Sequence, residues 1–371
     1  MKNDEYYMRR ALKLAKKGEG RASPNPMVGA VIVKDGRIIG EGYHACCGEN
    51  HAEINAIERC VEAIAGADFY ITLEPCTHYG KTPPCVDALI KHKPGRVVIG
   101  TLDPNPLVAG QGIVLLQKQG IETLVGVLEA ECQLLNEKFF KFMTTGLPFV
   151  TLKYAQTLDG RIATATGHSR WISSPESLRY AHRLRGAHDA ILVGSGTVLL
   201  DDPELTVRLV KGRNPLRIVL DSRLRISLES RILQNQNQTR TMIVTTEKAA
   251  KGKLKRLKDM GIELLCTNTT QKGEINLSDL FMKLGQKGVS SVLVEGGSSV
   301  ITSVIRKGLA DKLVVIIAPK IVGKGIEGVG DLGITSMDQA MTLHQHKFRK
   351  LGQDILFEAN IKVAPGYATL P

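Results

Sequence analysis

His51-Ala52-Glu53, then Pro75-Cys76, then Pro84-Cys85: these three short segments decide how the amino-terminal half of the chain is understood. Zinc takes nitrogen and sulfur donors tetrahedrally, and a reactive centre keeps one of its four positions for solvent. One imidazole and two thiolates therefore complete the protein's share. Thiolate softness favours zinc over harder divalent ions, and zinc lowers the pKa of a bound water toward ~7. If a helix begins at Ala52, Glu53 lies in its first turn, close enough to carry a proton from the water to a departing group without binding the metal. His44 and His78 could instead close the site with a fourth ligand, which would make it structural. Cys46, Cys47 and Cys60 lack a matching context and are expected to be non-ligands.

H-x-E followed by P-C-x-x-C is the pattern of zinc deaminases. Here eight residues, 77–84, separate the two cysteines where the short form has two. Around these segments the hydrophobic pattern predicts helices at 4–17, 52–64, 86–91, 111–119 and 129–142, with strands at 27–33, 37–43, 68–73 and 96–100. Asp35-Gly36 between two apolar runs predicts a hairpin. The result is a helix-covered sheet of three layers. Gly146 and Pro148 punctuate the chain before a new strand at 149–154, which sets domains at 1–145 and 146–371.

In the second half, strands are expected at 190–193, 216–220, 241–245, 263–265, 291–294, 312–318 and 354–361. Helices at 175–185, 248–260, 277–286 and 298–307 alternate with them, so the sheet is mainly parallel with an antiparallel carboxyl end. Gly194-Ser195-Gly196-Thr197 and Glu295-Gly296-Gly297-Ser298 each follow a strand and precede a helical stretch. Such loops offer backbone N–H groups to phosphate, and two on one sheet suggest a dinucleotide. Trp171, the single tryptophan, reads by itself as core. The basic run 248–258 reads as one solvated helix face.

The 371 residues carry a net charge of +12. Residues 1–145 hold 17 basic and 17 acidic side chains, so the whole excess lies beyond them. A balanced metal-bearing half argues against a nucleic-acid substrate and for a small molecule. The alternative is a nucleoside or tRNA deaminase with an accessory binding domain. Seven cysteines without an amino-terminal apolar segment argue against disulfides and a membrane, leaving the cytosol as the expected compartment.

Several of these segments carry a family resemblance: Pro24-Asn25-Pro26-Met27-Val28-Gly29, His51-Ala52-Glu53, the run T-L-E-P-C-T-H-Y-G-K-T-P-P-C at 72–85, and Asp103-Pro104-Asn105-Pro106. In the second half they are joined by Thr157-Leu158-Asp159-Gly160-Arg161, residues 194–199, Asp201-Asp202-Pro203 and Glu295-Gly296-Gly297. Together they resemble the bifunctional riboflavin biosynthesis deaminase/reductase family over essentially the whole chain, and the wide cysteine gap fits it. The resemblance implies an α/β protein: a cytidine-deaminase-like domain followed by a dihydrofolate-reductase-like one.

It also implies a phosphoribosylaminopyrimidine substrate, loss of its 2-amino group at a Zn²⁺ centre, and NADPH-dependent hydride transfer to C1′ of the ribose. The zinc ligands are His51, Cys76 and Cys85, with Glu53 as proton carrier and Asn25 on the base. By the same resemblance Ala155, Trp171, Thr197, Asp201, Ser222 and Gly297, Ser298, Ser299, Val300, Ile301, Thr302 and Ser303 line NADPH. Ser169, Arg185, Leu205, Arg208 and Glu295 hold the substrate, with an arginine on its phosphate. A homodimer is expected.

Overall fold

The computed structural model describes residues 2–79, 83–105 and 108–361. Gly80, Lys81, Thr82 and Pro106 of the family-like segments, and the last ten residues of the expected second domain, lie outside the described residues. The chain divides into two compact units, Met1–Gly146 and Leu147–Pro371.

The first unit is built on strands β1 (Gly29–Lys34), β2 (Arg37–Tyr43), β3 (Asp68–Ile71), β4 (Arg96–Ile99) and β5 (Glu122–Val125), in the order β2-β1-β3-β4-β5. The first three run antiparallel and the last three parallel. Asp35 and Gly36 both take positive φ, 50° and 75°, as a tight right-twisted hairpin requires. Its helices are α1 (Lys2–Ala15), α2 (Ala52–Glu58), α3 (Cys85–His92), α4 (Gln111–Lys118), α5 (Glu129–Leu135) and α6 (Glu137–Thr145). Alternate residues of β1 face opposite layers: Ala30 and Ile32 pack with Ala52, Ala56, Val86 and Leu89, whereas Val31 and Val33 pack with Met8, Ala11, Leu12 and Cys132. Both faces are covered, which is why β1 reads as an unbroken apolar run.

Two helices differ from expectation. The one expected at 52–64 ends at Glu58, because the Val61 N–H donates to Ile39 O (3.0 Å) and ties the chain back to β2. The one expected at 129–142 breaks at Asn136. Its side-chain amide binds Met27 on both sides, Oδ1 accepting the N–H at 2.8 Å and Nδ2 donating to the carbonyl at 2.9 Å.

The second unit carries β6 (Phe149–Thr157), β7 (Arg161–Thr164), β8 (Ala190–Gly194), β9 (Leu216–Leu220), β10 (Thr241–Thr245), β11 (Glu263–Cys266), β12 (Ser291–Val294), β13 (Lys312–Ala318), β14 (Gly325–Glu327), β15 (Leu343–Leu351) and β16 (Asp354–Ile361). Nine of them form one sheet, β11-β10-β9-β8-β12-β6-β13-β16-β15. It is parallel from β11 to β13 and antiparallel at β16 and β15, as the alternation predicts. The small β7–β14 pair and β15 were not anticipated. Helices α7 (Pro175–Gly186), α8 (Ser195–Asp201), α9 (Lys251–Asp259), α10 (Leu277–Gln286) and α11 (Ser298–Arg306) complete the unit.

Leu280, Phe281, Leu284, Ile301 and Val304 pack on one face of this sheet, while Val198 and Leu257 pack on the other. The basic run is the helix α9, with Leu257 turned inward and most of its lysines exposed. Among the described residues, no helix is long and apolar enough to cross a membrane.

Candidate active sites

Gly40 and Gly42 of β2 bring the first site together. A Cβ on Gly42 would lie 2.3 Å from both Ala52 O and Ala56 N, and one on Gly40 would lie 2.7 Å from Ala56 O. Without those side chains α2 rests directly on the strand, with His51 as its N-cap and Glu53 in its first turn. Cys85 opens α3, and its N–H donates to Cys76 Sγ at 3.3 Å. Two helix amino termini thus converge where thiolate charge is favoured.

His51 Nδ1 stands 3.2 Å from Cys85 Sγ and 3.5 Å from Cys76 Sγ. Tetrahedral zinc with Zn–S ~2.3 Å and Zn–N ~2.0 Å would separate such donors by roughly 3.5 Å, so the three side chains fit one ion. Among the described residues, no fourth His, Cys, Asp or Glu joins this group. His44 is otherwise engaged, with Nδ1 on Asn50 O and Nε2 facing Asn25 Nδ2, each at 3.1 Å. The donor set is open, and neither His44 nor His78 closes it.

Glu53 is only 3% exposed. Burial, reinforced by the nearby Cys76 charge, pushes its carboxyl up to about 7. The Cys76 thiol is drawn down to about 4 by hydrogen bonding from Cys85 and His51, while that neighbour and burial push Cys85 up. A bound divalent cation would hold both sulfurs as thiolates. Glu53, His51 and Cys76 open into a cavity of about 390 Å³ that Asn25, His78 and Phe139 also line. The carbonyl of Asn50 can only accept, so His44 carries its proton on Nδ1 and accepts from Asn25 Nδ2. That leaves Asn25 Oδ1 to accept from a ligand. Glu74, not singled out in the sequence, accepts the N–H groups of Asp103, Gly110 and Gly112 and so holds the loop opposite.

In the second unit Arg185 donates to Glu295 through Nε (3.0 Å) and Nη2 (2.8 Å). Lys153 Nζ lies 3.8 Å from the same carboxylate. Burial opposes ionisation of Glu295, yet Arg185 and Lys153 hold it down to about 2. Lys153 was missed; a lone lysine inside the apolar strand Phe149–Thr157 was the available signal. His182, pressed down to about 4 by burial and by Arg185, accepts the Arg208 N–H at 3.0 Å. Arg185, Arg208 and Glu295 thus lie in one neighbourhood of the second unit.

The remaining expected positions scatter in character. Trp171 is 67% exposed, which overturns the core reading, and its carbonyl accepts from Lys320 Nζ. Leu205 is buried in the core, so only its backbone can meet a ligand. Within 297–303, Ile301 is packed in the core and Thr302 Oγ1 donates to Ser298 O; Gly297, Ser298 and Ser299 of the turn are less buried. That turn opposes the loop after β8: a Cβ on Gly194 would meet Val300 Cγ2 at 2.9 Å, and one on Gly297 would lie 3.8 Å from Thr197 Oγ1. Asp201 ends α8, where its carbonyl accepts from Arg170. Ser222 follows β9, Ala155 lies in β6, and Ser169 is half-buried.

Family comparisons agree with this division. Residues 1–101 match the cytidine and deoxycytidylate deaminase zinc-binding region, and residues 148–357 match the RibD C-terminal domain. The riboflavin biosynthesis protein RibD of Aquifex aeolicus is 46% identical over 95% of this chain and 97% of its own. The chain belongs to the RibD family. The Escherichia coli K12 member is 42% identical over 95% of this chain and 98% of its own. Among solved structures, Acinetobacter baumannii RibD form 1 superposes with a TM-score of 0.87 at 35% identity, covering 98% of this chain and 99% of that one. A Thermotoga maritima diaminohydroxyphosphoribosylaminopyrimidine deaminase/5-amino-6-(5-phosphoribosylamino)uracil reductase gives 0.84 at 39% identity, covering 97% and 99%.

This chain is accordingly a bifunctional deaminase and reductase of riboflavin biosynthesis. It has a cytidine-deaminase-like unit and a dihydrofolate-reductase-like unit, as the resemblance implied. The reading as a nucleoside or tRNA deaminase is not favoured.

Proposed function

We propose that residues 1–145 hydrolyse the 2-amino group of 2,5-diamino-6-(5-phosphoribosylamino)pyrimidin-4-one and that residues 146–371 reduce the ribosyl group of the product to a ribityl chain with NADPH. The observation that carries the first half is the open His51, Cys76 and Cys85 donor set with Glu53 buried in the same cavity.

Zinc, when bound there, supplies the Lewis acidity that makes water nucleophilic near neutral pH. Glu53 takes a proton on its carboxylate and hands it to the departing amine nitrogen, so that the C–N bond breaks as ammonia leaves. Asn25 Oδ1, oriented through His44, accepts an N–H of the pyrimidine edge. In the second unit NADPH, when bound, supplies the hydride that C1′ receives. Arg185, Arg208, Glu295, Ser169 and the Leu205 backbone hold the substrate. The facing loops at 194–197 and 296–300 offer N–H groups to the cofactor's pyrophosphate, with Ala155, Trp171, Asp201 and Ser222 along its length. The protein works in the cytosol as a homodimer and takes small molecules, not nucleic acid.

The test is to supply the phosphoribosyl diaminopyrimidine with and without NADPH, following ammonia release and cofactor absorbance separately. Ammonia should appear in both cases and NADPH oxidation only after it. NADPH consumption without prior ammonia release, or ammonia release that requires NADPH, contradicts the two-site reading.

A further inference from the structure

Two short segments of the second unit meet at one carboxylate. The turn that joins β6 to β7, Thr157-Leu158-Asp159-Gly160-Arg161, lies against the chain that leaves β13, Pro319-Lys320-Ile321-Val322-Gly323. Residues 319–324 are all exposed, so apolar burial does not fix this second segment. Hydrogen bonds do. Asp159 Oδ2 accepts the Gly323 N–H at 2.7 Å, and the Val322 N–H is shared between both carboxylate oxygens at 3.2 Å. On the other side Thr157 Oγ1 donates to Asp159 Oδ1 (2.6 Å) and accepts the Arg161 N–H (3.0 Å), which fixes the carboxylate within its own turn. The Leu158 N–H donates to Lys320 O (2.8 Å), and Arg161 Nε donates to Gly323 O (2.9 Å). The Thr157 hydroxyl and the Gly323 N–H hold the Asp159 carboxyl down to about 2, so it stays ionised near neutral pH.

The clasped segment reaches Trp171. Lys320 Nζ donates to the Trp171 carbonyl at 2.6 Å, and Arg170 Nη2, one residue earlier, donates to Asp201 O, also at 2.6 Å. With its side chain 67% exposed, Trp171 gains little from packing. Its placement therefore depends on backbone tethers such as these, and one of them runs through Lys320 back to Asp159.

Resting on the proposed reduction, in which Trp171 flanks NADPH, we infer that Asp159 and Lys320 are positioning residues of the reductase: Asp159 sets the 320–323 segment, and Lys320 passes that placement to Trp171. Their effect runs through Trp171 and not through contact with the reacting atoms. Losing either one loosens Trp171 and weakens the hold on NADPH, while the hydride step at saturating cofactor is unchanged. The deaminase unit gives an internal control for folding.

Trp171 is the single tryptophan of the chain, so tryptophan fluorescence anisotropy reports on this one position. The experiment follows that anisotropy, the KM for NADPH and kcat of reduction with the deaminated intermediate, the melting temperature, and ammonia release. It compares the full-length protein with its Asp159→Ala and Lys320→Met variants. Alanine removes both acceptor oxygens, and methionine keeps the reach of Lys320 without its donor. In both variants the anisotropy should fall and the KM for NADPH should rise about 5-fold, the size expected for solvent-exposed hydrogen bonds. Reduction kcat and ammonia release should stay at wild-type levels. A variant that keeps wild-type anisotropy or a wild-type KM, even with a lowered melting temperature, overturns the assignment of that residue. A wild-type protein that does not oxidise NADPH would instead overturn the reduction on which the inference rests, and the anisotropy comparison would still decide the clasp.

Discussion

Replacing Gly42 by alanine should disable deamination and leave reduction working. The added Cβ would sit 2.3 Å from two backbone atoms of α2, Ala52 O and Ala56 N, and ordinary contact begins at 3.4 Å. Neither atom can rotate away, so the helix must retreat by about 1 Å. It carries His51 and Glu53 with it, while Cys76 and Cys85 stay on other elements. Misplacement of a catalytic group by ~1 Å costs on the order of 10²-fold in rate. Overpacking of this kind costs roughly 1–3 kcal/mol, a part of the roughly 5–15 kcal/mol that stabilises a domain. The assay measures ammonia from the diamino substrate and, separately, NADPH oxidation with the deaminated intermediate. We expect ammonia release to fall about 100-fold with oxidation unchanged. A folded Gly42→Ala protein with wild-type ammonia release would refute the claim that close packing of α2 positions the site.

Cys76→Ser and Cys85→Ser should each lower zinc content and deamination together, read by metal analysis and ammonia release; full activity in either variant removes that cysteine from the ligand set. Glu295→Gln strands Arg185 and Lys153, and breaking such a buried pair costs about 3–5 kcal/mol, seen as a lower melting temperature of the second unit at neutral pH. The Glu295 carboxyl is held from its ordinary 4.5 down to about 2. Its contribution is therefore complete above about 4.5 and is lost as pH falls toward 2. The melting difference between wild type and variant should shrink over that window, and a difference that grows on acidification contradicts the ion-pair account.

The metal site and its fold were legible because each ligand sits where a chain signal changes: His51 before a helix, Cys76 after a strand, Cys85 at a helix start. Strands buried on both faces, such as β8, β10 and β12, announced themselves as apolar runs. Two of the strands that were missed, β15 and β5, are mainly exposed. β15 presents His346, Lys347, Phe348, Arg349 and Lys350 to solvent, and β5 has one exposed edge, so neither shows an apolar pattern. The break at Asn136 was hidden because its cause is a tertiary bond to Met27, 109 residues away. Lys153 was overlooked for a similar reason: its partner Glu295 is distant in sequence, and the strand around it reads as ordinary core. Trp171 shows the opposite error, since a single large aromatic favours burial by composition while its surroundings leave it exposed.

The most direct measurement is made on Glu53→Gln, with metal content, ammonia release and NADPH-dependent reduction of the deaminated intermediate followed on one preparation. Glutamine keeps the shape and removes the proton carrier. The account predicts a full complement of zinc, ammonia release lowered by about 10²- to 10⁴-fold, and unimpaired reduction. Retained deamination, or reduction that dies in step with it, would contradict the account.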